Sequence, residues 1–323
     1  MPCPTGFAFP SPFESRAMRI IVNGQQAFGK AVLEALLERG EDIVGVFCTA
    51  AKPGARPDPL KDSALAHGLP LFEPSSFKDG AVAETLRGLE PDLGVMAFVT
   101  LIVPKTLLDT PNLGTIQYHP SLLPRHRGPS SINWPIIQGE TRTGLTIFWP
   151  DDGLDTGPIL LQKEVEITDT DTLGSIYFEK MFPLGVEAMV ESVDLVKAGK
   201  APKIPQDESL ASYESWCTKD DVEIDWQRPA DQVHNLIRGA NPQPGAWTTF
   251  NGAPFQIFDM ARTGQEDAQP GKVIDVTEDG FAVAAGDGAI LVKRVRPQGG
   301  DKITATEFLA AGGPGKGTQL GQS

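Results

Sequence analysis

Cysteine is scarce in this sequence. The 323 residues include only three, Cys3, Cys48 and Cys217, which lie far apart along the chain. An odd number of distant cysteines matches neither the close spacing of a metal site nor the paired pattern of a disulfide framework. We therefore predict a protein of a reducing compartment, the cytoplasm, with no disulfide bonds and no metal cofactor.

Long apolar runs are also missing. No stretch approaches the ~20 consecutive apolar residues that a membrane helix needs. Residues 1–17 contain several prolines and lack the basic start and apolar core of a signal peptide. We therefore predict neither a membrane span nor a signal peptide, and we interpret residues 1–17 as a flexible extension.

Basic charge is in deficit. Lysine and arginine together number 28 against 42 aspartates and glutamates, which gives a formal net charge of −14. Proteins that bind nucleic acids usually present a basic face, because they neutralise phosphates. The acidic balance therefore makes nucleic-acid binding less favoured, although a local basic patch stays compatible with it.

The signatures of several enzyme classes are absent. The sequence contains neither the GxSxG elbow of many hydrolases nor the GxxxxGK[ST] phosphate loop. Gly24 and Gly29 follow the first predicted strand, but their spacing differs from GxGxxG, and the second strand ends in Cys48 rather than in an acidic residue. Tight packing of a strand against a helix explains these glycines better than dinucleotide binding does.

The first half of the chain alternates short apolar runs with segments of helical periodicity. Such alternation predicts an α/β domain with a Rossmann-like parallel sheet, whose ligands bind beyond the carboxyl ends of the strands. The predicted strands are 19–22, 43–47, 69–72, 93–98, 115–119 and 144–149, and the predicted helices are 28–38, 60–67 and 82–89.

The second half has a different pattern. One long helix is predicted over 172–200, which closes the catalytic domain at 18–200, and a proline-containing linker follows at 201–215. A helix at 229–239 and five short strands between 246 and 294 then predict a smaller β-barrel, OB-like domain at 216–311. The glycine-rich tail, 312–323, is expected to be disordered.

His119 is the histidine whose position favours a functional role. It ends a buried strand, at the place where α/β sheets hold their sites, and Pro120 restricts its backbone to extended conformations. Among the other histidines, His67 fits a solvated helix end and His234 fits a structural position within a helix.

The acidic segment DDGLDTG, residues 151–157, follows another predicted strand. Its composition predicts a tight, irregular loop, and the spacing of its acids does not match a calcium-binding EF-hand loop. We expect this loop to share the edge of the sheet with His119. A carboxylate beside an imidazole orients the ring and favours its protonated form, which donates to developing negative charge.

Taken together, HPSLLPRHRG at 119–128 and DDGLDTG at 151–157 resemble the folate-dependent formyltransferase family. This family includes methionyl-tRNA, glycinamide ribonucleotide and sugar formyltransferases, and the hydrolase domain of 10-formyltetrahydrofolate dehydrogenase. The resemblance covers nearly the whole chain, from RIIVNGQQAFG at 19–29 to IDWQRPADQVHNLIRGANPQPGAW at 224–247. Within the family, the sequence looks most like the dehydrogenase's hydrolase domain.

The resemblance implies a site for 10-formyltetrahydrofolate as co-substrate, with His119 as the catalytic histidine and Asp155 as the catalytic aspartate. In the family an amine attacks the formyl carbon, and the histidine and a neighbouring amide stabilise the oxyanion. Folate-binding residues are expected at two places, where one loop follows a central strand and where the acidic loop begins. They are Ala97, Phe98, Val99, Asp151, Asp152 and Gly153.

Gln117 departs from the family pattern. Most members that formylate amines have asparagine two residues before the histidine, and the dehydrogenase's hydrolase domain has an apolar residue there. Glutamine keeps the amide but lengthens its reach, so Gln117 is a candidate oxyanion donor. Both an amine and water therefore stay open as the acceptor, which leaves transfer and hydrolysis as alternatives.

The acceptor itself is the least defined part of the prediction. A small-molecule amine is favoured, and Arg125 and Arg127 are candidate substrate-binding residues that shape this choice. For Arg127 two roles stay open, pairing with a phosphate or carboxylate of the acceptor or a salt bridge on its own loop. Methionyl-tRNA ranks behind it, because the loop 49–62 carries Lys52, Arg56 and Lys61 but also two aspartates. A folate-binding protein without catalytic activity is the remaining alternative, against which the intact His119 and Asp155 argue.

Overall fold

The computed structural model describes residues 16–50, 54, 56–264 and 268–321. The chain divides into two compact units. Unit 1 comprises residues up to Arg127, Gly144–Lys163 and Phe182–Ala211, and unit 2 comprises Gly128–Thr143, Glu164–Met181 and the residues from Ser212 onward. These units differ from the continuous domains predicted above, because two internal segments group with the C-terminal residues. Most of the predicted N-terminal extension, residues 1–15, lies outside the described residues.

Secondary structure follows the predicted alternation closely in the first half. The strands there are β1 (Arg19–Gly24), β2 (Asp42–Cys48), β3 (Leu71–Phe72), β4 (Leu93–Ala97), β5 (Thr115–His119), β6 (Arg142–Phe148) and β7 (Ile159–Glu166). The helices are α1 (Gln26–Glu38), α2 (Pro59–Ala66), α3 (Gly80–Gly88), α4 (Lys105–Leu108), α5 (Asn133–Ile137), α6 (Leu173–Ser175) and α7 (Phe182–Lys197). The sequence analysis did not predict α4, α5 or β7.

The sheet built from these strands has the order β3-β2-β1-β4-β5-β6-β7. The strands from β3 to β5 are parallel, as predicted, but β6 runs antiparallel to β5. The sheet is therefore mixed, and the Rossmann-like α/β class is confirmed with that correction. The direction of β6 was not predictable from periodicity, because a buried strand has the same apolar pattern in either direction.

Strand β5 is fixed by its apolar face. Tyr118 packs against Phe28 of α1 with ring centroids 4.4 Å apart. A Cβ atom at Gly185 of α7 would lie 2.7 Å from the Tyr118 ring, so this position has no space for a larger residue. Because side chains alternate along a strand, Gln117 and His119 both lie on the opposite face of β5.

Glycines at the start of α1 have the packing role expected of them. A Cβ atom at Gly24 would lie 2.4 Å from the carbonyl oxygen of Ala97 on the neighbouring strand. The Gln25 N–H donates to that same oxygen at 3.3 Å. Close approach of β1 to β4 therefore explains the glycine.

The predicted long helix over 172–200 is interrupted in its first third. The short α6, capped by Thr172, continues into a π-helix at Ile176–Met181, and α7 follows. The prediction of a helical segment is thus confirmed. Within the segment, the backbone hydrogen bonds take the π-helical pattern before the α-helical pattern of α7 begins.

The C-terminal part of unit 2 contains the predicted helix and β-rich domain. Its elements are α8 (Ala230–Gly239), β8 (Trp247–Phe250), β9 (Ala253–Thr263), β10 (Val273–Thr277), β11 (Gly280–Ala284), β12 (Ala289–Pro297), β13 (Ile303–Thr304) and α9 (Ala305–Ala310). The strands form an antiparallel sheet in the order β10-β11-β12-β9-β8, with β13 paired to β12.

The expectation of a disordered tail is wrong for residues 312–321. The Gly317 N–H donates to the carbonyl of Val273, and the Leu320 N–H donates to that of Gly271. Leu320 is 2% exposed and belongs to the core of unit 2. A single leucine in a glycine-rich segment gave no periodic signal, yet its burial and these backbone bonds order the segment.

Among the residues that the structure describes, none of the helices is both long and apolar enough to cross a membrane.

Asp92 is a buried charge in unit 1. Its carboxylate, 1% exposed, accepts two hydrogen bonds from Arg16, at 2.6 and 2.7 Å, and further bonds from the Arg19 N–H and Asn112. Burial alone raises the pKa of Asp92, but these donors together lower it to about 2. Arg16 is therefore held in place, unlike the flexible residue predicted for this part of the N-terminus.

This lowered pKa predicts an acid-sensitive contribution to stability. Because the pKa of Asp92 is about 2 in the folded protein, against 3.8 for an ordinary aspartate, the contribution is present above about pH 4 and is lost as the pH falls through 2. We expect Asp92→Asn to lower the free energy of unfolding by about 2 kcal/mol at neutral pH. Urea unfolding between pH 2 and 7 measures the difference. The exposed Asp62→Asn is the control, and a deficit independent of pH would contradict the assignment.

Candidate functional site

The orientation of His119 is fixed by a backbone carbonyl. Its ring nitrogen Nε2 lies 2.9 Å from the carbonyl oxygen of His126, in the loop that follows β5. A carbonyl oxygen only accepts hydrogen bonds, so Nε2 carries a proton and donates it. In the neutral ring, Nδ1 is then the unprotonated nitrogen, and it is the one that is able to take up a proton.

Asp155 faces that nitrogen. Asp155 Oδ2 lies 3.6 Å from His119 Nδ1, and both side chains are buried, with 6% and 7% exposed. The distance exceeds that of a direct hydrogen bond, but the two groups are close enough for a carboxylate to stabilise an imidazolium ring. The sequence-based expectation that these two residues meet is therefore confirmed.

The two residues do not meet for the reason expected, however, which was that β5 and β6 end at the same edge of the sheet. In the antiparallel pairing of β5 and β6, Gln117 lies opposite Phe148 and His119 lies opposite Thr146. The carboxyl end of β6 is therefore displaced from His119 toward the middle of β5. Asp155 reaches His119 because the loop after β6 turns back along the sheet.

The return of this loop depends on its local backbone chemistry. Trp149 N–H donates to the Pro158 carbonyl at 2.9 Å, which closes the loop at its base. A Cβ atom at Gly157 would lie 1.8 Å from the carbonyl oxygen of Trp149, so only glycine fits there. Asp155 has a left-handed backbone, with φ of 58°, which is a strained conformation for a residue other than glycine.

The start of the loop is held by Asp151. Its Oδ1 accepts hydrogen bonds from the Gly153 N–H at 3.0 Å and from the Thr156 hydroxyl at 2.6 Å. Such an Asx turn satisfies the loop's own donors and stabilises its shape.

A cavity of about 240 Å³ lies in unit 1, between this loop and the loop that follows β4. Its lining combines apolar side chains with a few polar groups, which is typical of sites for partly apolar organic ligands. The lining residues are Met96, Val99–Lys105, Leu108, Gln117, Phe148 and Pro150–Asp155.

The candidate catalytic amide lies in this cavity. Gln117 lines it, and its side-chain amide has no hydrogen-bond partner among the residues that the structure describes. An amide in this state is able to donate to a ligand oxygen. Gln117 and His119 share one face of β5, Asp155 faces His119, and Gln117 and Asp155 line the cavity, whereas His119 is not among its lining residues.

The predicted folate-binding residues divide into two groups. Val99, Asp151, Asp152 and Gly153 line the cavity, as expected. Ala97 does not, because its side chain is fully buried in the core of unit 1. Phe98 is 45% exposed but lies outside the cavity lining.

The two arginines predicted to bind the acceptor also lie outside that lining. Arg127 is buried, and its guanidinium donates to Gln206 and, bidentately, to Glu208. The hydrogen bonds to Glu208 raise the pKa of Arg127, although burial opposes this. Its donors are thus engaged within the protein, which favours a structural role over ligand binding. Arg125 is exposed.

Lys105 is a site residue that sequence reasoning missed. It lines the cavity and forms an ion pair with Asp109. The hydrogen bond from Lys105 to Asp109 in this ion pair raises the pKa of Lys105, with smaller contributions from the charges of Asp152 and Asp151. A lone lysine in an unpredicted short helix gave no sequence signal. The same is true of Gln206, which lies in the predicted linker.

The N-terminus of α1 is occupied by a carboxylate from the chain itself. Asp58 accepts hydrogen bonds from the Gln26 N–H at 2.9 Å and from the Leu60 N–H at 2.9 Å. One side chain therefore satisfies the first donors of both α1 and α2, at a place where helices commonly bind anions.

Across the described residues, no group of three histidine, cysteine or acidic side chains is arranged to hold a metal ion.

Two family models match this chain. One, described as Formyl transferase, matches residues 18–193. The other, described as Formyl transferase, C-terminal domain, matches residues 217–312.

Relatives of known name match over most of the chain. Methionyl-tRNA formyltransferase of Trichlorobacter lovleyi is 38% identical over 307 residues, which cover 94% of this chain and 96% of that protein. Mitochondrial 10-formyltetrahydrofolate dehydrogenase of Mus musculus is 38% identical over 312 residues, which cover 91% of this chain and 33% of that protein. The chain thus spans about a third of the length of the dehydrogenases that it matches.

A solved structure shows the same fold. The N-formyltransferase from Helicobacter canadensis, in complex with folinic acid and dTDP-3-aminofucose, superposes with a TM-score of 0.66 at 19% identity, covering 85% of this chain and 98% of that one. Since one family model covers more than half of the chain and a relative is matched over nearly its full length, this protein belongs to the formyl transferase family of enzymes.

Proposed function

We propose that this protein transfers the formyl group of 10-formyltetrahydrofolate to the amino group of a small-molecule acceptor. The observation that carries the proposal is the buried pair of His119 and Asp155, together with the cavity that Asp155 and Gln117 both line. The family relationship supports the donor, since a relative is named for formyl transfer and another for 10-formyltetrahydrofolate.

The geometry supports a different role in the reaction for each of the three residues. The attacking amine forms a bond to the formyl carbon, and the Gln117 amide donates to the oxygen that becomes negative. His119 Nδ1 accepts the proton that the amine loses, and Asp155 stabilises the resulting imidazolium. The same nitrogen then returns the proton to the folate nitrogen as the carbon–nitrogen bond breaks, so the ring ends in its starting form.

This assignment refines the role inferred from the sequence. There, the histidine was expected to donate directly to the oxyanion. Because the His126 carbonyl engages Nε2–H, we assign proton transfer to Nδ1 and stabilisation of the oxyanion to Gln117.

Hydrolysis is a second candidate, and Gln117 is the observation that favours it. Water replaces the amine in the same cavity, His119 accepts its proton, and formate is released. A glutamine where amine-formylating relatives are expected to have asparagine places the donor one methylene further along.

Methionyl-tRNA is a further candidate acceptor. The ranking of tRNA behind small amines, made from charge, loses support because a methionyl-tRNA formyltransferase matches over nearly its whole length. Of the basic residues named for that loop, Lys61 is paired with Glu73, Arg56 is exposed, and Lys52 lies outside the described residues.

One experiment separates these candidates. The protein is incubated with 10-formyltetrahydrofolate together with amino sugars on nucleotides, other small amines, methionyl-tRNA, or no acceptor. Mass spectrometry identifies which compound gains a formyl group, and an enzymatic assay measures free formate. We expect a small amine to be formylated faster than formate appears. Formate alone would instead assign hydrolysis, the second candidate, and formylation of methionyl-tRNA alone would assign methionyl-tRNA, the third.

His119→Ala and Asp155→Asn test the catalytic pair. We expect each variant to lose at least about 100-fold in kcat, because a positioned proton acceptor contributes this much or more. Stopped assays of tetrahydrofolate formation measure the loss, and circular dichroism verifies that the fold is retained. His67→Ala, which alters an exposed histidine on α2's C-terminal side, is the matched control. Near-normal turnover by His119→Ala would remove the assignment.

Gln117→Asn tests the choice between amine and water. The shorter amide restores the reach expected of amine-formylating relatives, so we expect the ratio of amine formylation to formate release to rise. Gln117→Leu, which removes the donor, is expected to lower both rates together. The ratio is read from the two products of one reaction mixture, and an unchanged ratio in Gln117→Asn would show that this residue does not select the acceptor.

A further inference from the structure

Gln206 lies in the segment predicted as a linker, yet its side chain makes hydrogen bonds at both ends. Its Nε2 donates to the carbonyl oxygen of Asp155 at 2.9 Å and to that of Gly157 at 2.7 Å. Both acceptors belong to the acidic loop after β6. A single amide thus holds the backbone at Asp155 itself and two residues beyond.

These two bonds act where the loop is strained. Asp155 has its φ at 58°, in the left-handed region, and such a conformation persists only when its surroundings hold it. Because the Asp155 carbonyl is held, rotation of this peptide is opposed, and the direction of the Asp155 Cα–Cβ bond, which carries the carboxylate, is held with it. The 3.6 Å separation from His119 Nδ1 depends on that direction.

The orientation of the Gln206 amide is itself determined. Its Oε1 accepts hydrogen bonds from Arg127 Nε at 3.2 Å and from Arg127 Nη2 at 2.7 Å. An arginine only donates, so the amide oxygen must face Arg127 and the NH₂ group must face the loop. Glu208 holds the same guanidinium with bonds of 2.7 and 2.9 Å.

Arg127 connects this arrangement to the histidine. It directly follows His126, whose carbonyl accepts the hydrogen bond from His119 Nε2. The Arg127–Gln206 contact therefore joins the loop that orients the imidazole to the loop that carries the carboxylate.

We infer that Gln206 is a positioning residue for the reaction, which sets the Asp155 carboxylate against His119 by holding the backbone of the acidic loop and by linking it to Arg127. The inference rests on the proposed function for its effect on turnover. Its structural part, the fixed loop, is testable without any activity.

The test separates the donor end of the amide from its acceptor end. In Gln206→Glu the side chain keeps its shape and its bonds to Arg127, but an ionised carboxylate has no hydrogen to donate to the two loop carbonyls. Gln206→Ala removes both ends. We expect kcat to fall by up to about 100-fold in both variants, since a small misplacement of a catalytic group has effects of this size. The KM for 10-formyltetrahydrofolate should change less than about twofold, because Gln206 does not line the cavity.

Gln256 of β9 offers a closely matched control. Its Nε2 donates to the carbonyls of Pro244 and Gly245, and its Oε1 accepts from Arg296. Gln256→Glu therefore breaks the same kind of amide bridge in unit 2. We expect it to lower thermal stability comparably while leaving kcat unchanged.

Amide hydrogen exchange of residues 150–158, measured by mass spectrometry, is the second readout. Faster exchange of this loop in both Gln206 variants, and not in Gln256→Glu, supports the inference. Unchanged exchange overturns it, as does full kcat in Gln206→Glu or an equal loss of kcat in Gln256→Glu. If the unaltered protein neither transfers nor releases the formyl group, the proposed function fails, while the exchange measurement still decides whether Gln206 holds the loop.

Discussion

The antiparallel direction of β6 is the constraint on which the candidate site depends. A chain that leaves β6 moves away from the end of β5 where His119 lies, so it must reverse within a few residues to return. Glycine at 157 permits the backbone to pass close to Trp149, and a left-handed Asp155 completes the turn. The carboxylate thereby reaches the imidazole from a loop, while the imidazole itself stands on a rigid strand.

Charge in the site is set by this same arrangement. Three carboxylates, of Asp151, Asp152 and Asp155, and one lysine line the cavity. Asp151 is committed to the turn of its own loop, and Lys105 is paired with Asp109 outside it. The carboxylate next to His119 is therefore that of Asp155, whose Oδ2 lies 3.6 Å from His119 Nδ1.

Much of the fold was predictable because burial leaves a pattern. Strands β1, β2 and β4 contain continuous apolar runs, and the apolar residues of α1, α2 and α3 recur at helical spacing. The direction of β6 leaves no such pattern. The proximity of His119 and Asp155 was therefore predicted on the assumption that β5 and β6 end at the same edge of the sheet, which their antiparallel pairing contradicts. Ala97 shows a related limit, because the strand could be located from sequence while the face on which its side chain lies could not.

Residues that act through hydrogen bonds were the hardest to predict. Gln206 and Arg127 meet from segments about eighty residues apart, and polar residues in a proline-containing stretch have no periodicity to follow. Leu320 was missed for a similar reason, since a single buried leucine among glycines resembles a flexible tail. The residues of the candidate catalytic pair were thus predictable from the sequence, whereas the contacts that hold them were not.

The carboxylate of Asp58 has a consequence for how this protein can vary. It accepts hydrogen bonds from the first backbone N–H donors of both α1 and α2, so the two helices begin at one shared carboxylate. A substitution at Asp58 would remove the cap from two helices at once, so this position tolerates less change than a cap that serves a single helix.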